Sequence, residues 1–158
     1  KYNPNKKIRI RFSLMPEKKR QLHEPNTSTI QERIEAIDQF IEAGYDVHIN
    51  FSPIIVYDKW LHDYDELFCL LDKYVKNKEG VLSECIFLTH EIHKHYSNLL
   101  RHPETEVDLR REEIQEYKTS QFGGKNIRYK HYLKRDFINK FTELHDTLIP
   151  WNKIRYIF

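Results

Sequence analysis

The sequence predicts an α/β fold built on a parallel sheet, and three observations carry the prediction. Two segments alternate polar and apolar side chains as strands do: Ile8-Arg9-Ile10-Arg11-Phe12-Ser13-Leu14 and Val47-His48-Ile49-Asn50-Phe51-Ser52, closed by Pro16 and Pro53. A stretch of helical periodicity separates them, so the two strands are joined by a crossover and run parallel. Further on, strand and helix patterns keep alternating, in the order βαβαβα, then a hairpin, then αβ. That order belongs to a parallel sheet with helices packed outside it, and three such units resemble half a barrel.

The elements follow in chain order. The first strand covers about 8–14, and a polar loop from Glu17 to Ser28 comes after it. A helix over about 29–43 starts at Thr29 and Glu32, which have the spacing of a capping box, and carries Ile30, Ile34, Ile37 and Ile41 as its apolar stripe. Gly44 supplies its stop. The strand 46–52 is next, then a helix over about 60–76 with Trp60, Tyr64, Leu67, Phe68, Leu71 and Val75 on one side. A third strand covers about 84–90, and a third helix about 91–101 ends before Pro103. The acid-rich stretch 104–116 has no clear period. Residues 118–130 place a Gly-Gly turn between β-capable flanks and read as a hairpin. An amphipathic helix over about 132–147 and a strand from Lys153 to Phe158 close the chain.

The 158 residues fit one domain, 1–158, and 39% apolar content with 13% aromatics supplies a core in which Trp60 and Trp151 take part. Charged residues nearly cancel, at net +2, which excludes a wholly basic nucleic-acid coat and leaves room for a local basic patch. Cys69 lies in a helical apolar stripe, Cys85 in a strand, and both read as buried reduced thiols. No apolar run approaches the roughly 20 residues that span a bilayer, and the first residues have no apolar core of a signal peptide. The expectation is a soluble cytoplasmic protein with no membrane contact. The first residue is not Met and the first strand begins within ten residues, so the chain reads as a piece of something longer.

Parallel strands are normally apolar on both faces. Here Arg9, Arg11 and Ser13 share one face of the first strand, and His48, Asn50 and Ser52 one face of the second. That second face is expected to line a wet lumen or ligand site. Ligands on such sheets sit at the carboxyl ends of the strands, where Ser13 and Ser52 fall. His90, His93 and His95 with Glu91 lack the H-E-x-x-H order of a metal site and read as a solvated helix start. Between 118 and 135, Lys118, Lys125, Arg128, Lys130, Lys134 and Arg135 occur without an acid, interleaved with Phe122 and Tyr129. Cations contact phosphates and an aromatic at a hairpin tip stacks on an exposed base. Gln121, Phe122, Lys125, Arg128 and Tyr129 are therefore the candidate DNA-binding residues.

Several collinear segments resemble one family. They are Arg11-Phe12-Ser13-Leu14-Met15-Pro16, Glu24-Pro25-Asn26-Thr27-Ser28, Glu32-Arg33-Ile34-Glu35-Ala36 and Ala43-Gly44-Tyr45-Asp46-Val47-His48. Asn50 through Trp60, Phe87-Leu88-Thr89-His90, Tyr117 through Gly124 and Ile154-Arg155-Tyr156 continue the series. Together they resemble the spore photoproduct lyase family of radical S-adenosylmethionine proteins. The resemblance implies a partial (β/α)6, TIM-like barrel of which this chain is the carboxyl-terminal half. It also implies S-adenosylmethionine and a [4Fe–4S] cluster, whose radical chemistry opens the thymine dimer of ultraviolet-damaged DNA. The family's C-x-x-x-C-x-x-C motif is absent, so the cluster is expected on the missing amino-terminal half, and Cys69 and Cys85 inherit no role. Ser13 carries over as a ligand to the cofactor's amino-acid end. Asn50 and Ser52 approach its adenine or ribose, Ser52 through side chain or backbone. Arg11, with Arg9, neutralises the cofactor carboxylate or buries an ion pair.

Two functions are then expected, from different classes. One is part of a radical S-adenosylmethionine DNA lyase, inactive as this fragment alone, with DNA and the amino-terminal half as partners. The other is a non-catalytic nucleic-acid-binding module that uses the basic hairpin.

Overall fold

A computed structural model describes residues 3–119, 121 and 123–158. Strand β1 (Arg9–Ser13) pairs in parallel with β2 (Asp46–Ile54), β2 with β3 (Leu82–Phe87), and β3 with the last strand, Lys153–Ile157. The expected parallel sheet is present.

Between β1 and β2 the chain forms two helices rather than a loop and one helix. The predicted loop at 17–28 holds α1 (Glu17–His23). Its inward residue is Arg20, 7% exposed, which donates to the Glu17 carboxylate at 2.6 Å and to the Thr27 carbonyl at 3.3 Å. A helix that buries a guanidinium has no apolar stripe, so periodicity missed it. Helix α2 (Ile30–Glu42) begins at the expected capping box, Thr29 Oγ1 accepting from Glu32 N–H at 3.2 Å while Glu32 accepts from Thr29 N–H. It ends at Gly44, whose φ of +92° is strained for any residue with a Cβ, and where a Cβ would also have to displace the Asn3 side chain.

Helix α3 (Trp60–Tyr74) follows β2, and its whole predicted apolar side is buried. The predicted strand 84–90 divides: β3 stops at Phe87, and β4 (Thr89–Glu91) leaves for a second sheet. A β pattern does not reveal a change of sheet, because backbone and side-chain alternation look alike on either side of the switch at Leu88. Next come α4 (Ile92–Arg101), one 3₁₀ turn (Pro103–Thr105) that runs into the stretch without a period, and α5 (Glu106–Leu109) inside that stretch. Strands β5 (Gln115–Thr119) and β6 (Lys125–Tyr129) form the expected hairpin, extended by β4 into an antiparallel sheet ordered β4-β6-β5. Helix α6 (His131–Leu148) returns to the first sheet, and β7 (Lys153–Ile157) ends it.

Helices α2, α3 and α6 cover one face of the parallel sheet. Ile34 and Ile37, Tyr64 and Phe68, and Phe141 pack with Val47, Ile49, Phe51, Cys85 and Phe87 in a single core. Phe51, Phe68 and Phe141 meet edge to face at 5.5–5.8 Å. Trp60 belongs to this core and Trp151 packs at its rim. Of the two cysteines only Cys85 is buried; Cys69 is exposed, since its position on α3 lies beyond the edge of the packed stripe. Among the described residues no helix is long and apolar enough to cross a membrane.

Candidate functional site

The other face of the sheet is polar. The strand registers align Ser13 with Asn50, Asn50 with Glu84, and Glu84 with Tyr156, so one polar row crosses all four strands. Asn50 Nδ2 donates to Ser13 Oγ over a long 3.5 Å, and the Ser13 carbonyl accepts from Arg33 of α2 at 2.9 Å. Two of the sequence candidates are therefore neighbours. Ser52 lies further along the same strand, half-buried, and β2 runs past it through Pro53 to Ile54 rather than ending there.

Glu84 is the centre of the row, and sequence reasoning missed it. Its side chain is only 3% exposed. Arg11 Nε donates to Oε2 at 2.8 Å and Arg11 Nη2 to Oε1 at 3.3 Å. Tyr156 donates to Oε2 at 2.8 Å, Arg155 Nη1 donates to Oε1 at 3.1 Å, and His48 Nδ1 lies 3.3 Å from Oε1. Hydrogen bonding from Arg11 first, then from Tyr156 and His48, outweighs burial and holds the Glu84 carboxyl at about 2. Arg11 is thus in an ion pair, one of the two roles expected of it, and Arg9 pairs with Asp46 at 2.7 Å.

A register shift explains how two successive residues of β7 reach one carboxylate. Ser83 aligns with Ile154 and Glu84 with Tyr156, which leaves Arg155 as an extra residue on β7. The irregularity turns both Arg155 and Tyr156 toward Glu84 while Ile154 and Ile157 pack on the core. The available signal was a glutamate in an otherwise apolar strand, Glu84-Cys85-Ile86-Phe87. A lone buried acid requires partners from neighbouring strands.

A cleft of ≈550 Å³ opens beside the carboxyl ends of β1 and β2, lined by Met15, His23, Asn26, Pro53, Ile55 and Asn98 among others. Next to it Asp108, 4% exposed, accepts from Lys19 at 2.7 Å and lies 3.1 Å from His23 Nε2. Ser13, Asn50 and Ser52 do not line this cleft.

The hairpin is less uniformly cationic than its sequence. Gln121 and Lys125 are exposed. Arg128 is paired across the strands with Glu116 at 2.7 Å, an acid just outside the basic stretch. Tyr129 is a correction: it is 1% exposed, packs on Phe87 and Phe137, and its hydroxyl accepts from Val56 N–H at 2.7 Å. The alternation of β6 turns Tyr129 into the core with Ile127, which the interleaving of aromatics and cations concealed. Phe122 lies outside the described residues. Lys134, at the start of α6, has its ammonium pushed down by burial and by Arg128 and Lys118.

The histidines at 90, 93 and 95 also differ from expectation. Only His93 is exposed; His95 is 4% exposed and its ring meets that of His90 at 5.0 Å. Burial and then the neighbouring His95 push His90 down to about 4. Among the described residues no group of three or more His, Cys, Asp and Glu side chains is arranged to hold a metal ion.

A family model described as spore photoproduct lyase matches residues 1–158. The spore photoproduct lyase of Bacillus subtilis (strain 168) is 30% identical over 96% of this chain and 45% of its own length. That of Geobacillus sp. (strain Y412MC61) is 32% identical over 91% of this chain and 40% of its own. The chain therefore spans somewhat less than half the length of these relatives. A solved structure of a doubly substituted spore photoproduct lyase with bound AdoMet and dinucleoside spore photoproduct superposes with a TM-score of 0.85 at 23% identity. It matches over 95% of this chain and 44% of that one. At that identity the superposition speaks for the fold.

Proposed function

The chain belongs to the spore photoproduct lyase family, and from that premise we propose that it forms the carboxyl-terminal half of a longer radical S-adenosylmethionine enzyme. That enzyme, a cytoplasmic one, would repair the spore photoproduct, a thymine dimer, in DNA. Residues 1–158 are one domain in this reading, half of a partial (β/α)6 barrel whose polar sheet face becomes part of the lumen wall. The observation that carries it is the row Ser13, Asn50, Glu84 and Tyr156 across four parallel strands, because a packed sheet would be apolar there.

The row fits S-adenosylmethionine. Ser13 offers a hydroxyl to an amino-acid carboxylate, Asn50 a carboxamide to adenine or ribose, and Ser52 a further polar group one step along β2. Arg11, anchored by Glu84, supplies positive charge at the same level. The bound cofactor supplies radical chemistry; this chain binds it, orients it and keeps charges fixed around it. The residues present do not fit an iron–sulfur cluster, since Cys85 is in the core and Cys69 lies exposed on α3. In this reading the amino-terminal half holds the cluster, and the isolated fragment is inactive.

DNA contact is assigned to the hairpin, through Gln121, Lys125 and Arg128; Phe122, the aromatic expected to stack on a base, lies outside the described residues. Lys125 is the exposed cation of β6, and an exposed hairpin beside the sheet suits a base drawn out of the helix. The test is anaerobic reconstitution of the full-length protein with iron and sulfide. A reduced-cluster electron paramagnetic resonance signal and deoxyadenosine formed with a spore photoproduct dinucleotide support the reading. Lesion binding with neither signal overturns it in favour of a non-catalytic nucleic-acid-binding module.

A further inference from the structure

Among the described residues the charges on the polar face do not balance. Arg11 from β1 and Arg155 from β7 converge on Glu84, two cations on one carboxylate. Arg9 does not alter the sum, because Asp46 neutralises it. The carboxylate is 3% exposed, whereas the two guanidinium side chains are 46% and 45% exposed. Their unused donors therefore point away from Glu84 and from the sheet.

Those donors are numerous. A guanidinium has five N–H groups. Among the described residues, Arg155 uses one, Nη1 to Glu84, and Arg11 uses Nε and Nη2 on the same carboxylate. Glu84 cannot take more, as its two oxygens already face Arg11, Arg155, Tyr156 and His48. The register irregularity on β7 matters here, since regular alternation would not bring both Arg155 and Tyr156 to Glu84. The arrangement is a pair of arginines braced from behind by a buried acid, with one positive charge in front that no acid among the described residues compensates.

We infer that Arg11 and Arg155 form a binding site for a singly charged oxoanion over Glu84. This rests on the reading that the polar face holds cofactor and substrate. Two groups share the required chemistry: the phosphodiester that joins the two nucleosides of a dinucleotide lesion, and the carboxylate of S-adenosylmethionine. Planar guanidiniums suit either, because each presents parallel N–H pairs to two oxygens. Glu84 acts as the positioning residue that fixes both arginines.

The experiment uses the full-length protein, wild type and with Arg155→Gln or Arg155→Lys, and measures binding by calorimetry. Arg155 points to the polar face and takes no part in the hydrophobic core, so its replacement leaves that core untouched. One pair of probes is the lesion dinucleotide and the same compound with a neutral methylphosphonate link. The other pair is S-adenosylmethionine and methylthioadenosine, which lacks the amino-acid end. For the anionic member of one pair, Arg155→Gln is expected to weaken binding about tenfold, with partial rescue by Arg155→Lys. The neutral partner should change less than about twofold. The pair that responds identifies the source of the anion. Unchanged affinity for both anionic probes overturns the inference while leaving the family reading in place. A wild type that binds no probe overturns both.

Discussion

Arg11 on edge strand β1 reaches across the whole width of β2 to Glu84 on β3, its Nε 2.8 Å from Oε2. A side chain that skips one strand to pair with the next lies flat on the sheet and closes that area to apolar packing. The polar face is thereby held as an ordered layer of charge. Ser13 and Asn50 align on one side of Glu84, and Tyr156 on the other, where Arg155 also reaches the carboxylate.

Replacing Glu84 by Gln should destabilise the protein. The loss of a fully buried ion pair costs about 3–5 kcal/mol, but two partners here are half exposed and screened, so about 2 kcal/mol is expected. The folded-state value of about 2 lies below the ordinary 4.5, so folding favours the ionised acid. Its contribution is complete above pH 4.5 and is lost as the pH falls toward 2. Urea titrations of both proteins across that range should show the difference shrinking with acid. A constant difference would mean that the charge is not the cause.

His90 makes the opposite demand, a neutral ring. Its Nε2 is buried without a hydrogen-bond partner among the described residues, and its folded-state value is about 4 against an ordinary 6.5. Stability from the neutral ring is full above pH 6.5 and declines as the pH falls to 4. His90→Phe should keep the aromatic packing and remove that decline. Parallel urea midpoints for wild type and variant between pH 7 and 4 would contradict it.

The two hairpin residues Tyr129 and Lys125 should separate stability from binding. Tyr129→Phe removes the acceptor for Val56 N–H in the core and should cost about 1–3 kcal/mol of stability. It should leave the DNA affinity of the folded protein unchanged. Lys125→Ala should do the reverse, weakening all duplexes alike and lowering the salt slope by about one phosphate contact. Arg128→Ala should have the smaller effect on binding, because Glu116 already neutralises that guanidinium. Thermal melts and salt titrations on intact and lesion-bearing DNA read both outcomes.

Ser13→Ala in the full-length protein should weaken S-adenosylmethionine binding by about 1.5–3 kcal/mol, the worth of one hydrogen bond to a charged group. Stability should change little, since the long contact from Asn50 is the only side-chain hydrogen bond lost among the described residues. Equal affinity for wild type and variant would return Ser13 to a role in the turn.

The sequence by itself determined the parallel sheet, helices α2, α3 and α6, the hairpin, and which face of β1 and β2 is polar. These are properties of period: a stripe of isoleucines, a run of alternating residues and a Gly-Gly turn are each written within a few consecutive positions. The shared face of Ser13 and Asn50 was legible for that reason. Only the tertiary structure decided what depends on residues distant in the chain. Glu84 became the hub because Arg11, 73 positions away, and Tyr156, 72 positions away, meet it across neighbouring strands. Tyr129 points inward with Ile127, where its hydroxyl meets a backbone N–H 73 positions away at Val56, and α1 formed around a buried arginine that leaves no hydrophobic period. Local pattern records how a segment divides between water and core. Which charges then face each other across strands depends on sheet register, and a single unpaired residue on β7 changed it.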